Sequence, residues 1–384
     1  MPDRVGIVAA AMTKFEAAKP WQHLAELVLE VTDKVVEAAG ISLQNDVESV
    51  VSCSQDHWDG RTISSMPIPD VTCAHLKDES KVAGDGAYAV LYGAMHVLSG
   101  DHKLVLVVSH CAESHTDGTI IENWSIDHVF NRMLGLDYTM SAAMQARRYM
   151  DKYGVTPEQF AKVVVKNKGN AKKNPYAQES AALSVNDVLK SKMLADPITV
   201  MDKKPVSDGA CAMILATEEI AKKLTDKPVW IKGAGNCYNP HFLGDRELAD
   251  CDALESASKK AYKIAGIKNP VKEIDLVELS EYYSYQELLW TEGLGLCKRG
   301  EGGKLIDSGK TQLKGEIPIN PSGGLLSGIP VTVAGMSRVA EAVWQLQGRA
   351  GERQVPGAKL AVAHGCGGIC GQMHCVLVLE KGGK

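Results

Sequence analysis

The sequence lacks any run of 18 or more apolar residues, so no membrane-spanning helix is expected. It also lacks a charged-then-apolar leader, because Met1-Pro2-Asp3-Arg4 passes directly into a short strand-like segment; a cytoplasmic location is the expectation. Positive charge is not in excess. With 42 Lys and Arg against 47 Asp and Glu, the net charge of −5 argues against a general nucleic-acid binder, and an acidic ligand would need a local basic patch. The ten cysteines lack the dense spacing of a secreted disulfide scaffold and read as reduced thiols. No low-complexity stretch or flexible linker interrupts the chain. The pairs Gly323-Gly324 and Gly367-Gly368 lack the Lys-Ser/Thr of a phosphate loop and the spacing of a dinucleotide fingerprint.

What is present is enough apolar material for two cores. At 384 residues the chain exceeds the size at which single cores usually split, and 45% of it is hydrophobic. Leu104-Val105-Leu106-Val107-Val108 is short, β-branched and unbroken, as a strand buried on both faces should be. Gly86 to Leu98 is apolar nearly all round and stops at Ser99-Gly100, which predicts a buried helix. A second helix is expected from Val331 to Leu346, rich in small residues, with Lys359 to Ala363 as the following strand. Small residues let two helices approach closely. The C-terminal Lys381-Gly382-Gly383-Lys384 is expected to fray.

Five ordered segments carry a resemblance. Val5-Gly6-Ile7-Val8-Ala9-Ala10 reads as an opening strand and Met144 to Gly154 as a helix, and Pro205-Val206-Ser207-Asp208-Gly209-Ala210-Cys211-Ala212 fits Pro-x-Ser-Asp-Gly-Ala-x-Ala. Val277 to Leu288 and Ile319-Asn320-Pro321-Ser322-Gly323-Gly324 to Pro330 complete the set. Together they resemble the thiolase superfamily, with sterol-carrier-protein-type thiolases and thiolase-fold acyl-CoA aldolases most alike. The resemblance implies an α/β fold of two related βαβαβαββ halves in an α-β-α-β-α layering. Residues 1–115 and 200–225 would form the first half, 226–384 the second, and 116–199 an inserted loop domain over coenzyme A.

The same alignment shows the usual catalytic residues replaced. Ala83 stands where the family has its nucleophilic Cys, Ile329 takes the His of Gly-His-Pro, and Gly365 falls on the second Cys of Cys-x-Gly-Gly. A Cys at the N-terminus of the buried helix would be activated by unpaired N–H groups and the helix dipole; Ala83 cannot form an acyl-enzyme. Asp85 lies in the Ser place of that pattern and suits helix capping. Cys366 comes one position late, and a shift of one in an extended segment turns a side chain to the opposite face. In the His-Asp-Cys-Phe places stand Ser280, Glu281, Tyr282 and Tyr283. Ser280 can hold a water or thioester oxygen, Glu281 is a general base if desolvated, and the tyrosines offer phenol groups, with core packing the alternative.

Candidate catalytic residues are thus Ser280, Glu281, Tyr282, Tyr283, His364 and Cys366. Lys166, Lys172 and Lys173, in a lysine-rich helical tract, would meet CoA phosphates or simply form a solvated face, and Ser322, Gly323 and Gly324 would contribute to CoA binding. His364, Cys366, Cys370, His374 and Cys375 crowd one tract, but the Cys-x-x-x-Cys spacing and strand alternation speak against a metal, so none is expected.

Three functions are consistent with this pattern. One is carbon–carbon cleavage or formation in a β-hydroxyacyl- or β-oxoacyl-CoA without the usual acyl-Cys, by retro-aldol or unusual thiolytic chemistry. Another is an acyl-CoA acyltransferase using Cys366, and the third a degenerate subunit that binds CoA or scaffolds an active partner. No tightly bound cofactor is expected, coenzyme A being part of the substrate. The resemblance implies a homodimer core and a small zinc-ribbon/OB-fold partner subunit; nucleic acid and membranes are not expected partners.

Overall fold

The computed structural model describes residues 4–383. Its strands are β1 (Val5–Met12), β2 (Ser49–Cys53), β3 (Asp78–Val82), β4 (Leu104–Ala112), β5 (Met193–Ala195), β6 (Ile198–Thr199), β7 (Asp208–Thr217), β8 (Val229–Tyr238), β9 (Leu276–Leu279), β10 (Leu360–Gly367) and β11 (Met373–Lys381). Nine of them form one mixed sheet in the order β3-β2-β4-β7-β1-β8-β11-β10-β9, and β5 with β6 make a separate ribbon. The first five belong to the N-terminal half and the last four to the C-terminal half. They join where Gly6 and Ile7 of β1 pair with Trp230 and Val229 of β8. All nine residues of β4 are buried, as its unbroken apolar run requires.

Two central helices lie between the halves. The first, Gly86–Ser99, packs on β2, β4 and β7 of its own half and on β10 and β11 of the other. The second, Ala334–Gln347, is buried at every residue and touches the first helix together with β1, β9 and β10. It starts three residues later than the sequence suggested, because Pro330 to Val333 form a turn whose Val331 N–H bonds a carboxylate, Glu113. The outer layers are amphipathic. Leu24–Ala39 turns Leu24, Leu27, Val28, Val31 and Val35 inward onto β1, β4 and β7, and Asp252–Ala265 covers β8 and β11.

Between β4 and β7 the chain leaves the sheet. Helix Pro157–Ala171 packs there on helix Ser284–Gly293 of the C-terminal half, helix Tyr138–Tyr153 bonds the same half through Tyr149 and Gln145, and the β5-β6 ribbon packs on helix Tyr138–Tyr153. Among the described residues no helix is long and apolar enough to cross a membrane. The tail is more fixed than expected: Lys381 N–H bonds the Lys359 carbonyl and Gly382 N–H that of Pro228, each at 2.8 Å. Lys384 lies outside the described residues.

Glycine lets the central helices touch. A Cβ on Gly86 would fall 2.6 Å from Met336 Cβ and 2.9 Å from its backbone nitrogen, so backbone would have to move. Gly86→Ala is therefore expected to lower the unfolding free energy by about 1–3 kcal/mol in urea titrations, as overpacking does. A change under about 0.5 kcal/mol, the size of an ordinary surface substitution, would contradict this packing.

Candidate active site

The site is built around Asp85. This residue caps the first central helix from an extended backbone conformation, its Oδ1 accepting the Ala87 N–H at 2.9 Å. Its Oδ2 accepts the Gly335 N–H at 2.7 Å, in the first turn of the second central helix. One carboxyl thus bridges the N-termini of both helices, whose dipoles favour its negative charge. Burial works the other way and dominates: it lifts the Asp85 carboxyl from its ordinary 3.8 to about 7, against the pull of the Ala87 and Gly335 N–H groups.

A cavity of about 380 Å³ has Asp85 in its lining. Gly84, Tyr282, Cys366 and Gly367 line it too, together with Glu113, Lys204, Lys203, Glu122, Tyr138 and Tyr283. Glu113 receives Lys204 Nζ at 2.8 Å on both oxygens, Ser207 N–H at 3.0 Å and Val331 N–H at 2.7 Å. That buried pair pins the Pro-Val-Ser-Asp-Gly segment and the Pro330 turn to the end of β4. The Tyr282 hydroxyl lies 3.3 Å from the Val331 carbonyl and 3.2 Å from that of Cys366, and the Tyr283 hydroxyl lies 3.2 Å from Thr139 Oγ1. A more open cleft of about 770 Å³ adjoins and shares Lys203, Lys204 and Val206 with the cavity.

Of the residues anticipated from sequence, the structure brings Tyr282, Tyr283 and Cys366 to the cavity. Ser280, Glu281 and His364 lie behind its wall. Ser280 Oγ donates to the His364 carbonyl at 2.9 Å, and the Trp290 indole N–H to the Ser280 carbonyl at 3.1 Å. Glu281 accepts the side-chain amides of Asn167 and Asn320 at 3.0 and 2.9 Å and the Leu326 N–H at 3.3 Å. It fastens the inserted segment to the C-terminal half rather than facing a substrate. Ser322, Gly323 and Gly324 are likewise turned inward: Ser322 Oγ joins Glu278 at 2.7 Å and Arg338 at 2.6 Å, and a Cβ on Gly324 would strike Glu281. Ile329 is buried in the apolar core. Ala83 is exposed and stands apart from the cavity, while Gly365 points at Asp85.

The lysines divide. Lys166 is fully buried, its Nζ 2.7 Å from Glu287 and 2.6 Å from the Ile319 carbonyl, so it is turned into the protein and not towards a phosphate in solvent. Lys172 and Lys173 are exposed and border a separate cleft of about 600 Å³ with Lys34 and Arg349. The alternation argument for the His and Cys tract holds only in part. His374 lies opposite Cys366 across the β10–β11 ladder, with His364 two residues along, so donor atoms of His364, Cys366 and His374 fall within 4.8 Å of one another. His364 Nε2 and His374 Nδ1 already bond each other at 3.0 Å, and burial beside Arg246 holds the His374 ring neutral with its pKa down at about 3.

Sequence reasoning treated Asp85 as a cap and passed over Glu113, Lys204, Lys203, Glu122 and Tyr138. The signal available was position: Lys203 and Lys204 immediately precede the Pro205 to Ala212 signature, and Glu113 follows the buried strand β4.

Glu281 gives a pH prediction. Burial first and Glu287 second push its carboxyl from 4.5 up to about 8. The folded protein therefore holds a proton that the unfolded chain releases, and the stability this contributes is complete below 4.5 and lost as pH rises through 8. Thermal unfolding of the wild type should accordingly weaken across that interval more steeply than that of Glu281→Gln. Parallel pH profiles would contradict the assignment.

Comparison with known proteins agrees with this architecture. A thiolase N-terminal domain model matches residues 5–219, and a thiolase C-terminal domain-like model matches residues 234–381. The acetyl-CoA acetyltransferase of Methanothermobacter thermautotrophicus is 39% identical over 380 residues, covering 96% of this chain and 97% of that protein. Sterol carrier protein 2 of Gallus gallus is 31% identical over 399 residues, covering 96% of this chain and 70% of that one. The solved Ltp2-ChsH2(DUF35) aldolase superposes with a TM-score of 0.86 at 24% identity, over 99% of this chain and 98% of its own. With both halves matched and the N-terminal model alone spanning more than half its length, the chain belongs to the thiolase family.

Proposed function

We propose that this protein makes or breaks a carbon–carbon bond in a CoA thioester by acid–base chemistry, without an acyl-cysteine. The observation that carries the reading is the cavity wall. Of the thiols in its lining, burial holds Cys366 well above its ordinary range and Cys370 up at about 12, so both are protonated, and Ala83 and Gly365, which lie off the lining, bring no reactive side chain to it. The same lining holds a buried carboxyl, Asp85, and a phenol, Tyr282, groups that move protons and bond oxygen atoms. Retro-aldol cleavage of a β-hydroxyacyl-CoA needs those two capacities and no nucleophile. The adjoining cleft offers the pantetheine arm a route past Lys203 and Lys204 to the cavity.

Incubation with β-hydroxyacyl-CoA thioesters should release a shorter acyl-CoA and a carbonyl compound. Peptide mass spectrometry should find no acyl adduct on the segment holding Ala83. A stable acyl-Cys366 would instead make the protein an acyltransferase, and complete inactivity with its partner present would make it a degenerate subunit.

The same reading includes partners. Strand β3 is an edge of the sheet, free to pair with a second copy in a homodimer. Ile120, Trp124, Val129, Phe130, Met133 and Leu134 are exposed beside Thr119 and Glu122 of the cavity rim. An apolar patch of this kind marks an interaction surface, and the proposed occupant is a small subunit with a zinc ribbon and an OB-fold that completes the substrate pocket. The expected form from the native source is a hetero-oligomer requiring both chains; full carbon–carbon cleavage by this chain purified alone would contradict it.

A further inference from the structure

We propose that Asp85 is the catalytic acid and base of the cavity, taking and returning the proton of the reacting β-oxygen. The inference rests on the reading of function above. Its first support is that the neighbouring backbone is shaped to admit the carboxylate. A Cβ on Gly335 would lie 1.9 Å from Asp85 Oδ1 and a Cβ on Gly365 2.0 Å from the same atom, so any side chain at either position would expel it. Position 365 is where related thiolases carry their second Cys, and the carboxyl of Asp85 fills the room in front of it.

The second support is that a cap alone does not call for this residue. Ser, Thr or Asn would bond the Ala87 N–H equally well, without enclosing a titratable group that burial penalises. Asp85 accepts the Ala87, Gly335 and Gly86 N–H groups, three bonds on a carboxylate that has about four acceptor positions, so acceptor capacity remains. The alternative carboxylate, Glu113, is saturated by Lys204 and two N–H groups. The lifted value near 7 suits a group that must both accept and donate at neutral pH.

In the cleavage direction the Asp85 carboxylate takes the β-hydroxyl proton. The O–H electron pair becomes the new carbonyl bond, the Cα–Cβ bond breaks, and its electrons pass into the thioester enolate. The Tyr282 hydroxyl turns its one proton from the Val331 and Cys366 carbonyls, which it bonds in the ligand-free protein, to the enolate oxygen. The Asp85 carboxyl then protonates Cα, which releases the shorter acyl-CoA and restores the carboxylate, so no further reactant is consumed.

Other titratable groups facing Asp85 are Tyr88, Tyr282, Cys53, Cys366, Cys375 and Arg338. The phenols and thiols are held protonated by burial, and Arg338 is paired with Glu278 at 2.5 Å. Glu281, raised to about 8, lies behind the cavity wall, so a limb near neutrality in the pH profile of kcat is assigned to Asp85 by its loss in an Asp85 variant.

The test compares wild type with Asp85→Ser, which keeps a capping residue so that the fold is preserved. The variant should bind CoA as the wild type does and lose roughly 10²-fold or more in kcat. It should also lose the limb near neutrality and recover turnover when formate is added. Wild-type turnover in Asp85→Ser would overturn the proposal, as would a loss of turnover that leaves the pH profile unchanged and ignores formate. Infrared difference spectra of the ligand-free proteins separate this from failure of the functional reading. A carboxyl band present in wild type, absent in the variant and titrating near 7 supports the proposal even if no substrate is turned over. A carboxyl already ionised well below neutrality overturns it.

Discussion

The Asp85 carboxyl between the two central helix N-termini is the constraint on which the rest of the structure turns. It can occupy that space only because Gly335 and Gly365 have no side chains, and the helices converge on it only because Gly86 lets Met336 approach. Both halves of the protein meet at these helices. A single side chain therefore ties the packing of the core to the chemistry of the cavity, and the two opposing forces on it, burial and helix dipoles, leave it poised near neutrality.

Around this centre the inserted segment and the loops are fixed by buried charge as well as by apolar contact. Glu113–Lys204 holds the cavity side, Glu287–Lys166 and the Glu281 amide network hold helix Pro157–Ala171, and Glu278–Arg338 with Ser322 holds the Asn-Pro-Ser-Gly-Gly loop. Buried ion pairs of this kind return little net stability because desolvation offsets their attraction. Their value here is geometric, since each has one workable arrangement and each sets a loop that borders the site.

The fold was legible in the sequence because its signals are local. Unbroken apolar strands, a helix apolar all round and ordered family segments all survive without knowledge of distant partners. The site was less legible for the opposite reason. Asp85 reads as a cap from its own neighbours, and its second bond comes from Gly335, 250 positions away. Lys166 reads as a phosphate ligand or a solvated lysine until helix Ser284–Gly293 supplies Glu287, and Glu281 reads as a desolvated base until Asn167 and Asn320 are seen to bond it. Strand alternation alone did not place Cys366: it turns Gly365 towards Asp85 and pairs Cys366 with His374, yet Cys366 also lines the cavity.

The most direct measurement is a structure of the protein with a non-cleavable β-hydroxyacyl-CoA analogue bound. The account predicts the β-oxygen within hydrogen-bonding distance of the Asp85 carboxyl, the thioester oxygen facing the Tyr282 hydroxyl, and the pantetheine arm running past Lys203 and Lys204. An acyl chain positioned with its thioester carbon against Cys366 Sγ, or CoA seated in the separate cleft of Lys172 and Lys173 with the cavity empty, would contradict it.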